Sequence, residues 1–270
     1  MDTAAGQPEA GSEAAERLRL ASSFGAAAGQ YAQHRPEYAE AAIRWCLAPA
    51  GGSWPARVAD LGAGTGILAG GLARLGADVV AVEPDRDMLA ELRRQLPGVR
   101  AVEGSAEALP LPDQSLDAVL CGQAMHWFDL DRALPEIARV LTPGGVFAGL
   151  WNVYDDRVGW VAEIAGLRGN GTTLSRWRAD PSPDVERRTL RAGSRWFTPV
   201  EEGEFGHGQV RTAESLVATI GTYSWILRMD EAERASTLGA VRDCLRRHPE
   251  TSAGEFTLPL VTVALRATRR

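Results

Sequence analysis

Arg57 to Glu83 reads RVADLGAGTGILAGGLARLGADVVAVE, and its order of elements decides the fold. Val58-Ala59-Asp60-Leu61 is a short, largely apolar run with Pro55 just before it, the pattern of a buried strand. Gly62-Ala63-Gly64-Thr65-Gly66 follows as a tight turn. Ile67 to Leu75 reads as a helix, with Gly76 as its C-terminal stop. Val79-Val80-Ala81-Val82 is a second buried strand, and Glu83 stands at its tip. Strand, helix and strand make one β-α-β unit, parallel and right-handed. The fold class is therefore α/β.

The same stretch carries chemistry. Gly62, Gly64 and Gly66 leave no Cβ where the backbone turns sharply and a ligand approaches. In an open parallel sheet, ligands sit outside the carboxyl ends of the strands. Glu83 follows the glycines at about 20 residues, the distance at which an acid takes ribose hydroxyls. A dinucleotide site shows G-x-G-x-x-G, with the pyrophosphate on the helix N-terminus. Here the spacing is G-x-G-x-G, and Asp60 stands two residues before the first glycine. A carboxylate there repels a pyrophosphate and suits a ligand that carries an ammonium group.

Val58 to Gly66, VADLGAGTG, resembles the first motif of the class I S-adenosylmethionine-dependent methyltransferases. The resemblance implies a Rossmann-like fold: a mostly parallel, seven-stranded sheet with helices on both faces and a small cap. It implies S-adenosylmethionine as cofactor and S-adenosylhomocysteine as product. In the family the glycine loop lies against the methionine part and the acid ending strand two holds the ribose. Carried over, Asp60, Gly62, Ala63, Gly64 and Gly66 form the loop side, and Glu83, with Pro84 and Met88, the ribose side.

Outward from that core, Phe24 to Pro36 (FGAAAGQYAQHRP) is a small-residue stretch ending at an X-Pro break. It is similar to the F…Y…RP segment of the methyltransferase type 11 and trans-aconitate methyltransferase group. On that likeness Tyr31 lines the pocket of cofactor and acceptor, and Arg35 pairs with the methionine carboxylate. Gly104 to Pro110 (GSAEALP) follows the third strand, Val99 to Val102, and matches the family's adenine segment. Ser105, Ala106 and Glu107 are its candidates. Many members carry Asp where this chain has Ser105, and a hydroxyl accepts a hydrogen bond more weakly than a carboxylate.

Ser115 to Cys121 is a near-continuous apolar run, as a central parallel strand should be. Its tip reads Gly122-Gln123-Ala124-Met125-His126-Trp127-Phe128, and this run also resembles the same group. Carbonyls near Gly122 and Gln123 suit the methionine ammonium. His126 is the candidate general base. The Trp127 face suits a sulfonium cation. Thr142-Pro143-Gly144-Gly145 reads as a turn before strand five, Val146 to Leu150. Trp151, Asn152, Tyr154 and Asp155 then face the acceptor, together with His126 and Trp127.

The rest bounds the function. The chain has 270 residues and net charge −6, against a nucleic acid held on a broad basic surface. No stretch has the apolar length of a membrane span, and the N-terminus lacks the pattern of a secretory signal. Three well-separated cysteines give neither a disulfide framework nor zinc spacing, and no metal is expected. The expectation is a cytoplasmic protein. Residues 1–20 read as a mobile segment, 21–270 as the methyltransferase domain, and 152–200 as an acceptor cap rich in arginine, from Arg168 to Arg195. Two late strands, Glu204 to Val210 and Phe256 to Leu265, with helices Ala213 to Trp225 and Asp230 to Arg247, complete the sheet. His207 reads as a half-exposed strand residue and His248 as a helix-end residue.

The implied function is in-line methyl transfer to a small molecule, such as a secondary metabolite or small acid. A relative of the same fold that binds the cofactor without transferring methyl, pericyclase-like or regulatory, shares every cofactor motif. A nicotinamide oxidoreductase is disfavoured by the glycine spacing and by the absence of any lysine. A nucleic-acid or protein methyltransferase is disfavoured because strand four has no Pro-Pro-Tyr-type motif after it and no basic domain is appended.

Overall fold

The computed structural model describes residues 35–50, 55–167, 173–179, 195–227 and 229–270. The 1–20 segment, Tyr31, and Arg168, Arg187, Arg188 and Arg191 of the expected cap fall outside these residues. In chain order the elements are α1 (Glu40–Leu47), β1 (Arg57–Leu61), α2 (Ile67–Arg74), β2 (Asp78–Glu83), α3 (Arg86–Gln95), β3 (Arg100–Glu103) and β4 (Leu116–Gly122). Then come α4 (Leu130–Val140), β5 (Leu141–Tyr154), α5 (Gly159–Leu167), α6 (Leu174–Ala179), β6 (Glu201–Arg211), α7 (Ala213–Gly221), α8 (Glu231–Arg247) and β7 (Phe256–Thr268). They build one seven-stranded sheet in the order β3-β2-β1-β4-β5-β7-β6. β7 runs antiparallel to both its neighbours, β5 on one side and β6 on the other, and the remaining pairs are parallel. The α/β, Rossmann-like class is as the sequence predicts.

Chain order places the site. From β1 the chain moves outward through β2 to β3, then returns across β1 to form β4. The reversal makes β1 and β4 neighbours, in register from Val58↔Ala118 to Asp60↔Leu120. A crevice opens outside the carboxyl ends at such a switch point. The tips of β1, β2 and β4 therefore gather the glycine loop, Glu83 and Gly122.

Strand alternation divides the core between the two faces. On one face Val58, Ala118, Leu120, Val146, Ala148 and Leu150 pack with α1 and α2 through Ile43, Cys46, Leu68 and Leu72. On the other, Ala59, Leu61, Val119, Phe147, Trp151 and Val153 pack with α4 and with Met125, Trp177 and Phe197. A third cluster joins Trp160 and Ile164 of α5, Leu216 and Ile220 of α7 and Val241 of α8 to the start of β7. Glu163 of α5 accepts from His248 Nε2 (2.8 Å) and Arg247, stapling α5 to the end of α8.

Several boundaries differ from the sequence reading. Thr142-Pro143-Gly144-Gly145 is not a free turn: the β5 span runs through it, and the pairing jumps from Leu116↔Leu141 to Ala118↔Val146. Gly144 has φ 78°, so the extra residues form a bulge. β5 also continues past Leu150 to Tyr154, because β7 pairs it through Tyr154↔Leu260. The helix expected over Ala213 to Trp225 ends at Gly221, and a separate turn spans Ser224–Leu227. Among the described residues no helix is long and apolar enough to cross a membrane.

Candidate active site

The glycine loop is held to β2. Gly62 N and Ala63 N donate to Val82 O at 2.9 and 3.1 Å. Gly62, Gly64 and Gly66 adopt φ of 68°, 55° and 92°, the left-handed region that side chains disfavour. A Cβ on Gly62 would meet Ala124 Cβ at 2.7 Å, so the loop and the β4 tip touch.

Glu83 is 7% exposed and receives two backbone donors. Gly64 N donates to its Oε2 (2.8 Å) and Asp85 N to its Oε1 (2.9 Å). Each oxygen keeps a second acceptor site. Burial raises its pKa, while the two N–H bonds oppose that shift. Met88, which opens α3 with Asp85 as its cap, places Sδ 3.6 Å from where a Gly64 Cβ would stand. Pro84 is exposed beside Glu83.

Asp60 is 1% exposed. Its Oδ2 accepts from Ala69 N in the first turn of α2 (2.8 Å), and its Oδ1 is buried with no hydrogen-bond partner. Thr65 Oγ1 is likewise buried and unpartnered. Burial pushes the Asp60 carboxyl up to about 7; the Ala69 bond works against this, and the nearby Glu83 charge adds to it. Two buried acids thus flank the loop, and neither has an ion-pair partner among the described residues. Such a pair lacks a cation. The orphaned Oδ1 and the spare acceptor sites on Glu83 match a ligand bearing both a positive charge and vicinal hydroxyls.

At the β4 tip, Gly122 leaves room for Tyr38: a Cβ there would lie 2.4 Å from the Tyr38 hydroxyl. Gln123 has φ 55° and ties β4 to β5, its N–H donating to Leu150 O (2.9 Å) and its Nε2 to the Asn152 carbonyl (3.2 Å). His126 and Trp127 follow on a short helical turn, their rings 4.8 Å apart. His126 is exposed as a residue, while protein crowding around the ring disfavours its charged form and pushes its pKa down, to about 4.

Similarity to known proteins agrees with this geometry. A family model described as a methyltransferase domain matches residues 59–149, from β1 into β5. An uncharacterized methyltransferase of Mycobacterium tuberculosis is 41% identical over 253 residues, covering 93% of this chain and 98% of that protein. The chain belongs to the class I S-adenosylmethionine-dependent methyltransferases. An uncharacterized methyltransferase-like protein of Schizosaccharomyces pombe is 31% identical over 82% of the chain and 84% of its own length. The solved structure of a protein assigned as a type II methyltransferase from Anaeromyxobacter dehalogenans shares the fold, with a TM-score of 0.59 at 24% identity over 87% of this chain and 97% of that one.

In this methyltransferase the loop after β3 has a local bridge between Ser105 and Ala108, with Ala106 buried. Glu107 is half-buried, and its Oε1 accepts from Asp129 N at the start of α4 (2.9 Å). The loop is anchored by Arg139, which the sequence showed only as a helix-end charge. Its guanidinium donates to Leu109 O (3.0 Å), Leu111 O (2.9 Å) and Asp113 Oδ1 (2.7 Å), and pairs with Glu136. Glu136 also accepts from Leu109 N (3.1 Å). Arg139→Ala leaves two loop carbonyls without this donor. We expect it to cost about 1–3 kcal/mol of stability and to weaken S-adenosylhomocysteine by about threefold to tenfold, read by thermal melting and calorimetry.

The set expected to face the acceptor is split by the strand. Trp151 lies on the α4 face, 4% exposed, its ring 5.1 Å from that of Trp177; Gly149 provides the space for it. Tyr154 is 8% exposed in the third cluster, its hydroxyl 3.0 Å from that of Tyr223. Asn152 commits its side chain to Pro36 O, Glu37 O, His207 and Thr262. Asp155 pairs with Arg157 at 2.7 Å. Each of the four side chains is thus engaged within the protein, by burial or by these partners. Arg35 places its guanidinium 4.6 Å above the Tyr223 ring. Of the arginines expected in a cap, Arg178 is spent on Glu204 (2.6 Å), and Arg195 lies over Trp196.

Proposed function

We propose that the crevice at the tips of β1, β2 and β4 binds S-adenosylmethionine and that the enzyme methylates a small molecule there. The observation that carries this reading is the pair of buried, uncompensated acids, Asp60 and Glu83, on either side of the glycine loop. Glu83 would accept from the ribose hydroxyls while its bonds to Gly64 and Asp85 hold it in place. Asp60 would complement the positive methionine end. Ser105 and Ala106 would border the adenine, and Gly122 and Gln123 the amino-acid end, with Arg35 toward its carboxylate.

The bound cofactor supplies an electrophilic methyl on a sulfonium. The protein's part is alignment and exclusion of water, an effect of several kcal/mol. The β4 tip is covered by Tyr38, and the chain is acidic, which favours a small acceptor over a polymer. A likeness to the malonyl-[acyl-carrier protein] O-methyltransferase of Methylococcus capsulatus, 45% identical, spans only 35% of this chain. It leaves the acceptor to a screen for S-adenosylhomocysteine release.

His126 would serve as an acceptor-side contact. With a pKa of about 4 it is neutral at working pH and a weak proton acceptor. The pH profile separates it from Asp60. As pH falls through about 7 Asp60 takes up a proton, so kcat/KM for S-adenosylmethionine falls toward tenfold per pH unit. We expect this limb to persist in His126→Ala and to vanish in Asp60→Asn. A limb lost in His126→Ala would make the histidine the titrating group.

A further inference from the structure

We infer that Asn152 is a positioning residue: its amide clasps the Arg35–Ala39 segment to the sheet and so holds Tyr38 over the tip of β4. The role rests on the cofactor reading above, because that tip is where the methionine end is placed.

The segment ahead of α1 is neither helix nor strand, so its polar backbone groups need other partners. Asn152 Nδ2 donates to Pro36 O (3.2 Å) and Glu37 O (3.0 Å). Its Oδ1 accepts from Thr262 Oγ1 (2.6 Å) and faces His207 Nε2 (3.2 Å). Thr262 Oγ1 in turn accepts from Ala39 N (2.9 Å). The two carbonyls can only accept, which fixes the NH₂ toward the segment and the oxygen toward β6 and β7. The Asn152 carbonyl meanwhile takes the Gln123 side chain, joining the clasp to the β4 tip itself.

Only a side chain with donors at one corner and an acceptor at the other makes both halves of this junction. Tyr38 lies within the clasped stretch, against Gly122, where a Cβ would stand 2.4 Å from its hydroxyl. The helix that follows has its own anchor: Ala42, Ile43 and Cys46 are buried, and Arg266 lies 3.8 Å over the Trp45 ring. Loosening the clasp should therefore free the segment and leave α1 docked.

Asn152→Asp separates the halves. A carboxylate still accepts from Thr262 and His207, but it cannot donate to Pro36 O or Glu37 O and repels both. Hydrogen exchange at the Ala39 amide and calorimetric titration with S-adenosylhomocysteine, on the full chain, test the role. We expect exchange at Ala39 about tenfold faster or more, and a Kd raised about fivefold to twentyfold. We also expect Tyr38→Ala, costly in the wild type, to add less than about twofold in the Asn152→Asp background, as coupled residues do. Should Asn152→Asp fail to fold, the near-isosteric Thr262→Val, which removes the acceptor of Ala39 N, should give the same pattern. A wild-type Kd in the variant, or fully additive costs, would overturn the clasp. Wild-type protein that bound no S-adenosylhomocysteine would instead overturn the cofactor reading, and the clasp's role with it.

Discussion

Asp60→Asn should make the ligand-free enzyme more stable and the cofactor complex weaker. The two effects have one cause. The Asp60 carboxyl titrates near its ordinary value of 3.8 in the unfolded chain and at about 7 in the fold, chiefly because burial disfavours its charge. Between those values the native state binds the extra proton, so stability falls as pH rises from about 4 to 7 and stays low above. The penalty at pH 8 is of order 4 kcal/mol. An asparagine removes the charge, and its carbonyl can keep the Ala69 N–H bond. Its NH₂ then needs a partner that Oδ1 lacks, which returns part of the gain. A net gain of about 1–2 kcal/mol corresponds to about 2–8 °C in melting temperature. With the buried charge gone, S-adenosylmethionine should bind about 30- to 100-fold more weakly, the scale for losing one partner of a buried charge pair. Adenosine, which has no cationic end, should bind Asp60→Asn as it binds the wild type. A melting temperature that dropped at pH 8 would contradict the uncompensated charge.

Glu83→Ala should fail in a different pattern. The wild-type carboxylate holds Gly64 N and Asp85 N, so its loss leaves two amides without their acceptor and loosens the link from the glycine loop to α3. A destabilisation of about 1–3 kcal/mol follows, set against the relief of a buried charge. The proposed ribose acceptor also disappears, so affinity should fall about 100-fold for S-adenosylmethionine and by a similar factor for adenosine. The contrast is the test: Asp60→Asn spares adenosine and Glu83→Ala does not. Equal losses of adenosine in both variants would mean that the two acids do not divide the ligand between them.

The part of this site that could be read from sequence is the part built from neighbours. β1, the glycine loop, α2 and Glu83 follow one another, and each has a local signal: an apolar run, left-handed glycines, a helix stop, an acid at a strand tip. The β4 tip was legible for the same reason. What escaped depends on distance or on strand parity. Asn152 bonds Pro36 across 116 positions, and Arg139 reaches Leu109 across 30; neither link leaves a pattern in the chain. Ending β5 at Leu150 put Trp151, Asn152 and Tyr154 together on a loop. Pairing with β7 carries the strand on to Tyr154, and alternation sends Trp151 to one face and Asn152 to the other. Tyr38 had one clue available: a glycine closing an apolar central strand marks a place where another group comes close.

The most direct test of the account is a calorimetric titration of the wild-type protein with S-adenosylmethionine at pH 6.5, repeated in buffers of different ionisation enthalpy. With an Asp60 pKa of about 7 the free enzyme is mostly protonated there, and binding a cationic ligand should drive that proton off. We predict binding with release of about half a proton or more per site, a release that fades by pH 8.5. Binding without proton release would contradict the role given to Asp60, and no binding at all would contradict the site.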